Sequence, residues 1–473
     1  MGQTNYIVAI ELSSSKVTGA AGIETHNGIK IIATASTRVD GYISKGIVRN
    51  VDKTSEAITN IINSLESNIS EDAGGKDIMI KKAYVSLSGL TLRSIKSKVT
   101  KNFDNYTKIT AEVISELEDE NDRLFQIPEG YVKVNAITQE YKIDGKTDRA
   151  PIGAPAMTIE GHFLNILIKK QYLEQLNESF ALAKVEIADS FIAARMDADI
   201  ILTKDDRRNG CALVNIGADT TTVTVYNSDS LRKLAVIPFG SSNITHDLCA
   251  EQISYDQAEA IKISRGYRSA TEEKEPIDNA TVNDIISGRM CEILQNVKYQ
   301  IEESGELINK IVFTGGGSKL KNFALLLEEY LPDFKTSVAA EPQLAFECRP
   351  GVNTIGVFTT ALYGLLNHGK DDCCEEMTQE TPVNGGTLFT DDDMSGREEE
   401  KEEITETQKE KPQEEKKEEK SSGKKSGGKK GGKKGGKKDN KSGWFDGLFG
   451  AVGDIIKNAT REDPEQETEN EDE

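Results

Sequence analysis

No run of about 18 apolar residues occurs in this 473-residue chain, so the sequence predicts no membrane-spanning helix. The first residues, MGQTNYIVAIEL, lack a basic stretch followed by a long apolar one, and we expect no secretory signal peptide. The six cysteines show neither C-x-x-C spacing nor a disulfide framework, which favours reduced thiols. The four histidines are far apart in sequence and indicate neither a metal site nor a catalytic triad.

Basic charge is outweighed by acidic charge, and the formal net charge of -21 argues against wholesale binding to nucleic acid. The charges are also unevenly placed. From Asp371 to Lys441 the chain consists mainly of Glu, Lys, Gly, Ser and Thr, and such a segment buries too little apolar surface to offset the entropy of ordering it. We expect a disordered linker here, with an end-to-end distance of roughly 45 Å as a flexible coil.

The part before Lys370 contains one pattern of elements twice, which predicts two similar α/β lobes. Each copy has three apolar strands, with a short hydroxyl-rich turn between the first two, followed by helical periodicity. The first copy has strands at Tyr6–Ile10, Val17–Ala21 and Ile29–Thr37, then a helix at about Asp52–Ile69 with Asp52 as its N-cap. The second copy has strands at Cys211–Ile216, Thr221–Tyr226 and Leu231–Ile237.

Between the two copies lies an insert, about Lys82 to Lys170, that has its own strands and helix. Ala111–Phe125 is predicted as an acidic helix, and Tyr131–Ile143 and Met157–Lys169 alternate as long strands. The sequence therefore predicts an inserted α+β subdomain, and we find no catalytic constellation in it.

Three short segments are candidates for contacting phosphate. The turns Ser13–Ser15 and Gly217–Thr221 offer hydroxyl and backbone N–H groups to an anion, although most such turns are only hairpins. The third, Gly315–Gly317, follows an apolar strand and precedes a helix, and an ordinary turn rarely needs three glycines. The absence of a G-x-x-x-x-G-K-[ST] match excludes a P-loop enzyme.

Taken in order, VAIELSSSKVTGAAG, ALVNIGADTTTVTVY and IVFTGGGSKL resemble the phosphate-1, phosphate-2 and adenosine motifs of the actin–Hsp70–sugar-kinase superfamily. Within it, the chain resembles the FtsA family, and VSLSGLTLRSIKSK, VIPFGSSNITHDL and DQAEAIKISRGY also resemble segments of that family. The resemblance extends over roughly residues 5 to 368. It implies a two-lobed actin-like fold (duplicated ribonuclease-H-like domains) with an FtsA-type insert.

The resemblance also implies a set of residues that bind ATP with Mg²⁺. The phosphates would be contacted by Ser14, Ser15 and Lys16 of the first lobe and by Gly217, Thr220 and Thr221 of the second. Further contacts to the nucleotide would come from Gly240, Ser241, Glu259, Lys262, Gly315, Gly316 and Gly317. The alternative interpretation of Glu259 and Lys262 is a surface ion pair one helical turn apart.

The motifs depart from the superfamily pattern at the positions that organise the metal. Glu11 and Asn215 stand where each motif usually has Asp, Ser13 replaces a glycine, and Ala218 and Asp219 interrupt the second glycine run. In the superfamily these two positions organise the hydrated Mg²⁺. Because Asn215 lacks a carboxylate and Asp219 adds one close to the phosphates, Mg²⁺ binding through Glu11 and Asn215, or hydrolysis, should be weakened. We therefore expect nucleotide binding with slow or negligible hydrolysis and a mainly structural role.

The last part of the chain has the pattern of a membrane-binding helix. Residues 421–441 contain nine lysines and one aspartate, and residues 443–459 follow directly. At helical spacing, the apolar residues of this segment fall within an arc of about 140°, and they are Trp444, Phe445, Leu448, Phe449, Val452, Ile455, Ile456 and Ala459. An amphipathic helix beside a basic run favours an anionic membrane surface, and docking into a partner's groove is the alternative.

We expect six segments, which are 1–81, the first lobe, to which residues near 345–370 return; 82–170, the insert; 171–370, the second lobe; 371–441, the linker; 442–460, the amphipathic helix; and 461–473, an acidic tail. The resemblance implies a cell-division protein on the cytoplasmic face of the membrane at the division site. It would form actin-like filaments and bind the FtsZ C-terminal peptide, anionic lipid and other division proteins. The alternatives are a pilus-assembly scaffold, a sugar-kinase-like phosphotransferase and an Hsp70-like chaperone.

Overall fold

The computed structural model describes residues 4–268, 277–339, 347–352 and 359–377. Its strands are β1 Tyr6–Leu12, β2 Lys16–Thr25, β3 Gly28–Arg38, β4 Ile43–Ser44, β5 Ile47–Val48, β6 Ile78–Ile80, β7 Lys82–Leu87, β8 Arg93–Lys108, β9 Tyr131–Ile143, β10 Lys146–Asp148, β11 Pro155–Lys169, β12 Glu186–Ile192, β13 Cys211–Ile216, β14 Thr221–Asn227, β15 Ser230–Ile237, β16 Lys310–Thr314, β17 Lys335–Val338, β18 Glu347–Cys348 and β19 Cys374–Glu376. Its helices are α1 Val51–Asp72, α2 Ala111–Leu124, α3 Lys170–Leu182, α4 Ala193–Ile201, α5 Lys204–Asn209, α6 Ser242–Cys249, α7 Tyr255–Arg265, α8 Asn279–Glu303, α9 Phe323–Tyr330 and α10 Thr360–His368, with a 3-10 turn at Gly316–Lys319.

The first lobe is built on a six-stranded sheet in the order β12-β7-β1-β2-β3-β18. Strands β1, β2 and β3 form an antiparallel meander, and β7 runs parallel to β1. Helix α1 buries one side, including Ile58, Ile61 and Leu65, against this sheet. The central strand β1 is therefore enclosed, and its end at Glu11 and Leu12 is placed at the edge of the core.

The second lobe repeats this arrangement with a five-stranded sheet in the order β15-β14-β13-β16-β17. Here β13, β14 and β15 form the antiparallel meander and β16 runs parallel to β13. Helices α6 to α9 contribute to a separate core on this sheet that includes Met290, Ile293 and Phe313. Because β1 and β13 occupy equivalent central positions, their carboxyl ends present equivalent turns.

The inserted subdomain is a four-stranded antiparallel sheet, β10-β9-β11-β8, covered by α2. Its own small core contains Val99, Leu117, Ile159 and Phe163. Two sheets of the same topology with an α+β insert confirm the predicted fold class for the described residues. None of the helices in these residues combines the length and apolar character that crossing a bilayer requires.

The structure differs from the sequence-based boundaries at both ends of the insert. Strand β7 lies within the range predicted for the insert, but in the structure it pairs with β1 of the first-lobe sheet. Five of its six residues are buried there. Strand β12, which we had assigned to the second lobe, pairs with β7 in that same sheet. Residues from Lys82 to Leu87 and from Glu186 to Ile192 thus extend the first lobe on either side of the insert.

Two local expectations also change. The N-cap of α1 is Asn50, whose side chain accepts the backbone N–H of Lys53 at 2.9 Å, and not Asp52. The ordered chain continues beyond Lys370, because Cys374–Glu376 pairs with Ile78–Ile80 and the Cys373 side chain is 1% exposed. The rest of the expected linker, the amphipathic segment and the acidic tail lie outside the described residues.

Candidate functional site

The turn between β1 and β2 presents the first group of candidate residues. The Ser13 hydroxyl donates to the carbonyl of Lys16 at 2.8 Å, which closes the turn tightly. The Ser14 hydroxyl accepts the backbone N–H of Gly46 at 2.9 Å, so this turn is tied to the β4–β5 hairpin. Ser15 is exposed, and its hydroxyl has only a distant contact with that of Ser13 at 3.5 Å.

The turn between β13 and β14 is the equivalent feature of the second lobe. The Gly217 N–H donates to the carbonyl of Thr220 at 2.9 Å, which closes this turn as Ser13 closes the first. The Thr221 hydroxyl is buried and donates to the carbonyl of Phe239 at 2.8 Å, so it stabilises the lobe and does not face the cleft. At Gly240 a Cβ would lie 2.3 Å from the Ala218 carbonyl oxygen, so only glycine permits this contact between the two loops.

The glycine run after β16 packs against the end of β13. Gly315 has φ +86°, and a Cβ there would lie 2.3 Å from Oδ1 of Asn215. A Cβ on Gly317 would lie 2.3 Å from Cγ2 of Ile216, whereas one on Gly316 would meet nothing within 4 Å. Two of the glycines are therefore required by packing, and the third leaves a bare backbone surface open to a ligand.

Glu259 and Lys262 lie on α7 and contact each other at 2.7 Å. Lys262 is only 6% exposed, and its ammonium group also donates to the Ser241 carbonyl at 3.2 Å and to the Thr245 hydroxyl at 2.9 Å. These three acceptors match the three protons of the ammonium group. The pair is therefore not a surface ion pair, and Lys262 holds the Ser241 loop in place.

Acidic side chains meet where β1, β13 and α4 converge. Burial is the main cause that raises the pKa of Glu11 to about 7; the nearby Asp197 carboxylate adds to it, while the Thr359 hydrogen bond and Lys16 oppose it. Asp197 accepts a hydrogen bond from the Asn215 amide at 2.8 Å and another from the Thr360 hydroxyl. Burial raises the pKa of Asp197 as well, and its hydrogen bonds limit the rise.

Asp197 was missed by sequence reasoning. Helix α4 also carries Arg195 and Asp199, so one more charged residue in it is no distinctive signal. In the structure the Asp197 carboxylate accepts a hydrogen bond from Asn215, so Asp197 lies beside the position where the second motif usually has Asp. An acidic group is thus present at the centre of the cleft but comes from a different element.

Asp219 connects the two lobes across the mouth of the cleft. Its carboxylate accepts the backbone N–H of Lys45 at 3.0 Å and the hydroxyl of Ser44 at 3.4 Å, both from the first lobe. It also accepts the hydroxyl of Ser242 at 2.8 Å within the second lobe. The second-lobe turn is therefore held directly against the hairpin that supports Ser14.

Two lysines from opposite sides complete the cleft. Burial lowers the pKa of Lys16, the Glu11 carboxylate opposes this, and the positive charge of Lys319 in the 3-10 turn lowers it further. Lys16 of the first-lobe turn and Lys319 next to the glycine run are therefore close enough to interact electrostatically. The site thus gathers hydroxyl groups, backbone N–H groups, two lysines and an open glycine surface, a donor set suited to a polyphosphate. The apolar residues from Trp444 to Ile456 that were predicted to bind membrane lie outside the described residues.

Comparison with known proteins supports a relationship over both lobes and the insert. Residues 212–347 match the family model described as Cell division protein FtsA, and residues 89–167 match the model described as SHS2 domain inserted in FTSA. The chain is 24% identical over 410 residues to the Cell division protein FtsA of Pseudomonas aeruginosa, covering 82% of this chain and 94% of that relative. It is 23% identical to that of Bacillus subtilis, covering 70% of this chain and 78% of the relative.

Among solved structures, the PilM-PilN type IV pilus biogenesis complex is similar in fold. The match has a TM-score of 0.56 and 15% identity, and it covers 76% of this chain and 97% of the other. At this identity the likeness concerns the fold alone. The chain thus has an actin-like fold with an SHS2 insert, matches the two FtsA family models over residues 89–167 and 212–347, and is similar to FtsA cell-division proteins over most of its length.

Proposed function

We propose that this protein binds ATP with Mg²⁺ between its lobes, self-associates into actin-like filaments and anchors the FtsZ ring to the cytoplasmic face of the cell membrane at the division site. The observation that carries the nucleotide part is the convergence of three small-residue turns on one cleft. Ser14 and Asp219 are linked through the Ser44–Gly46 hairpin, and Gly315 packs on Asn215. Two hairpin turns and a bare glycine surface thus face the same space.

The residues divide between the parts of a nucleotide by their chemistry. Lys16 and the hydroxyl-bearing turns supply positive charge and donors for phosphates, and the open surface at Gly316 accommodates a flat ring. Within the described residues no three His, Cys, Asp or Glu side chains converge to ligate a metal directly. Glu11, Asn215 and Asp197 would therefore act on Mg²⁺ through water, and the ion would neutralise phosphate charge.

We propose that hydrolysis is slow. The Glu11 carboxyl is half protonated near neutral pH because its pKa is about 7, and Asn215 carries no charge. Asp219 adds negative charge close to the phosphate turns, where it repels the ligand. The purified protein should bind ATP in filter-binding assays yet turn over at well below about one per second, a rate at the low end for kinases. Turnover at kinase rates would contradict this proposal.

The membrane part of the proposal depends on residues 443–459 and the lysines before them. The aromatic and aliphatic side chains share one helical face, and nine lysines precede it. Each lysine close to an anionic leaflet contributes about 1 kcal/mol, and this attraction is screened beyond about 8 Å at physiological salt. The helix would lie in the headgroup region while the folded part binds the C-terminal peptide of FtsZ and other division proteins.

The test is co-sedimentation with anionic liposomes in the presence of ATP and FtsZ. We expect the protein to pellet and to carry FtsZ with it, and Trp444→Glu/Phe445→Glu to lose both. The matched control is Gly450→Glu/Gly453→Glu, which adds the same two charges outside the apolar face and should retain most binding. If the wild type and the Trp444→Glu/Phe445→Glu variant both stay in solution, the tail binds a protein partner instead of the membrane. Pelleting without FtsZ would overturn the division-ring role and keep the membrane role.

A further inference from the structure

A second cavity lies away from the cleft just described, at the junction of three parts of the molecule. It has a volume of about 500 Å³ and lies between β9 of the insert, helices α4 and α5, and the β14–β15 hairpin. Four arginines line it, Arg149, Arg195, Arg207 and Arg208, and we call it the arginine cleft. Its volume is in the range of small-molecule sites in proteins.

The acidic residues of the arginine cleft are already paired. Arg207 contacts Asp199 at 2.7 Å and Asp229 at 3.6 Å. The third carboxylate, that of Glu140, pairs with Arg232 at 3.4 Å. Two arginines pair with these three carboxylates, and one of the two, Arg232, lies outside the wall and also contacts Glu306 at 3.9 Å.

The remaining three arginines have no such partner. Within the described part of the chain, no carboxylate lies within 4.0 Å of the guanidinium groups of Arg149, Arg195 or Arg208, and none of the three donates a side-chain hydrogen bond. Arg195 is half-buried, whereas Arg149 and Arg208 are exposed at the rim. With four arginines and three carboxylates, the lining has a formal excess of one positive charge, which an anion would compensate.

Two donors in the same wall make no hydrogen bond to a described residue, and one of them, the Arg207 Nε, is buried. Tyr226 is 6% exposed, and its hydroxyl makes no hydrogen bond to any described residue. Burial raises the pKa of Tyr226, so the hydroxyl remains a proton donor. The Nε of Arg207 is buried and likewise makes no hydrogen bond. An anion in the cavity would supply an acceptor for the Tyr226 hydroxyl.

The wall is held in place by its own hydrogen bonds. The backbone N–H groups of Ser228 and Asp229 donate to the carbonyls of Arg208 and Arg207 at 3.1 and 3.0 Å, which fixes α5 to the hairpin. The Ser230 hydroxyl donates to the Thr138 carbonyl at 3.3 Å, which fixes the hairpin to the insert. The guanidinium groups are therefore mounted on connected elements, which lowers the cost of ordering them around a ligand.

We infer that the arginine cleft is a binding site for a compact anion that carries two or more carboxylate or phosphate groups. The ligand would bridge Arg195 on the floor to Arg149 and Arg208 at the rim and would accept the Tyr226 hydroxyl. A small ligand is favoured over a peptide because the cavity is bounded on three sides by different elements. Its binding would fasten the insert to the second lobe.

The test is isothermal titration of the full-length protein with citrate and, separately, with pyrophosphate, in low salt without Mg²⁺. We expect saturable binding of at least one of them at a single site. Arg195→Gln/Arg208→Gln should weaken it by about tenfold or more, since a hydrogen bond to a charged group contributes about 1.5–3 kcal/mol. Arg149→Gln at the exposed rim should weaken it by a smaller factor and carries little risk of misfolding.

The matched control is Arg123→Gln/Arg268→Gln, which removes the same two charges from exposed positions and should leave binding unchanged. Equal weakening by the control would show a general charge effect and overturn the inference. So would pyrophosphate binding that is insensitive to Arg195 and Arg208, which would place the anion at the nucleotide turns. Binding of penta-glutamate but of neither small anion would show a peptide site and overturn the small-ligand proposal.

Discussion

Glu11 ends the central strand of the first lobe with its carboxyl group enclosed beside Asp197 and Thr359. Its pKa of about 7 lies above the ordinary value of 4.5, so the folded protein holds the proton more tightly than the unfolded chain. The stability that this proton contributes is complete below about pH 4.5 and is lost as the pH rises through 7. The loss is of the order of 3 kcal/mol.

Glu11→Gln should remove this pH dependence, because the amide is neutral and its oxygen still accepts the Thr359 hydroxyl. In urea unfolding with EDTA and without nucleotide, we expect the variant to gain stability over the wild type as the pH rises from 5 to 8. Parallel stability curves for the two proteins would show that Glu11 is charged in the folded state. Glu24→Gln, on the same sheet, is the control.

Asp219 stabilises the contact between the lobes but should weaken ATP binding. Its carboxylate links the lobes through Lys45 and Ser44, yet its charge lies beside the phosphate turns. Asp219→Asn keeps an acceptor oxygen and removes the charge, so it should tighten ATP binding by about tenfold. Asp256→Asn removes an exposed charge at the rim and should change the dissociation constant little. Weaker ATP binding by Asp219→Asn would show that the lobe contact matters more than repulsion.

At the scale of elements, the β4–β5 hairpin depends on one close backbone contact. Gly46 has φ +69°, and a Cβ there would lie 2.5 Å from the Cα of Gly89 at the start of the insert. Gly46→Ala should destabilise the protein by about 3 kcal/mol or more, from backbone strain and displacement of the hairpin. Gly41 has a similar φ of +71° with nothing within 4 Å, so Gly41→Ala should cost only about 1 kcal/mol.

Thermal unfolding of the two alanine variants separates these causes. Equal losses would mean that only the positive φ matters and that the Gly46–Gly89 contact is adjustable. A larger loss for Gly46→Ala, accompanied by weaker nucleotide binding, would show that the hairpin supports Ser14.

Strand β19 lies in a segment whose polar composition predicts disorder. It is short and lies in the acidic context of DDCCEE, yet its chain buries Cys373 and Cys374. The Cys373 carbonyl accepts the N–H groups of Lys81 and Lys82 at 2.9 and 3.2 Å. A chain ending at Lys370 should therefore melt several degrees below one ending at Met377, since two buried side chains and these hydrogen bonds are lost. Equal melting temperatures would mean that β19 adds nothing to stability.

The sequence could predict the repeated strands, the insert and the glycine run because each has local periodicity or a distinctive residue type. It could not assign β7 and β12 to the first sheet, since pairing between strands about a hundred residues apart leaves no local signal. The same holds for Asp197, whose role depends on Asn215 and Thr360 from two other elements. Motif residues were thus accessible, and the residues that connect motifs were not.

At the scale of the whole molecule, the two lobes share apolar packing. The core of the first lobe includes Leu213, Tyr226 and Val312 from the second-lobe sheet in one continuous cluster. We therefore expect a chain ending at Met377 to unfold in one calorimetric transition, with equal calorimetric and van't Hoff enthalpies. Two resolved transitions would indicate that the lobes unfold independently and that the shared cluster contributes little.

The position of β19 has a mechanical consequence for a protein tethered by its tail. The chain leaves the described fold at Met377, whose N–H donates to the Asp77 carbonyl at 2.9 Å. Among the described contacts, tension on a membrane-bound tail would first load this hydrogen bond and then the short pairing of Glu376 with Ile78. Three strand residues and the exposed Lys76–Glu376 pair would yield first. Strand β19 would therefore detach under load and lengthen the tail. Strand β1 would stay in its sheet, with the Tyr6 carbonyl still bound to the N–H of Cys373.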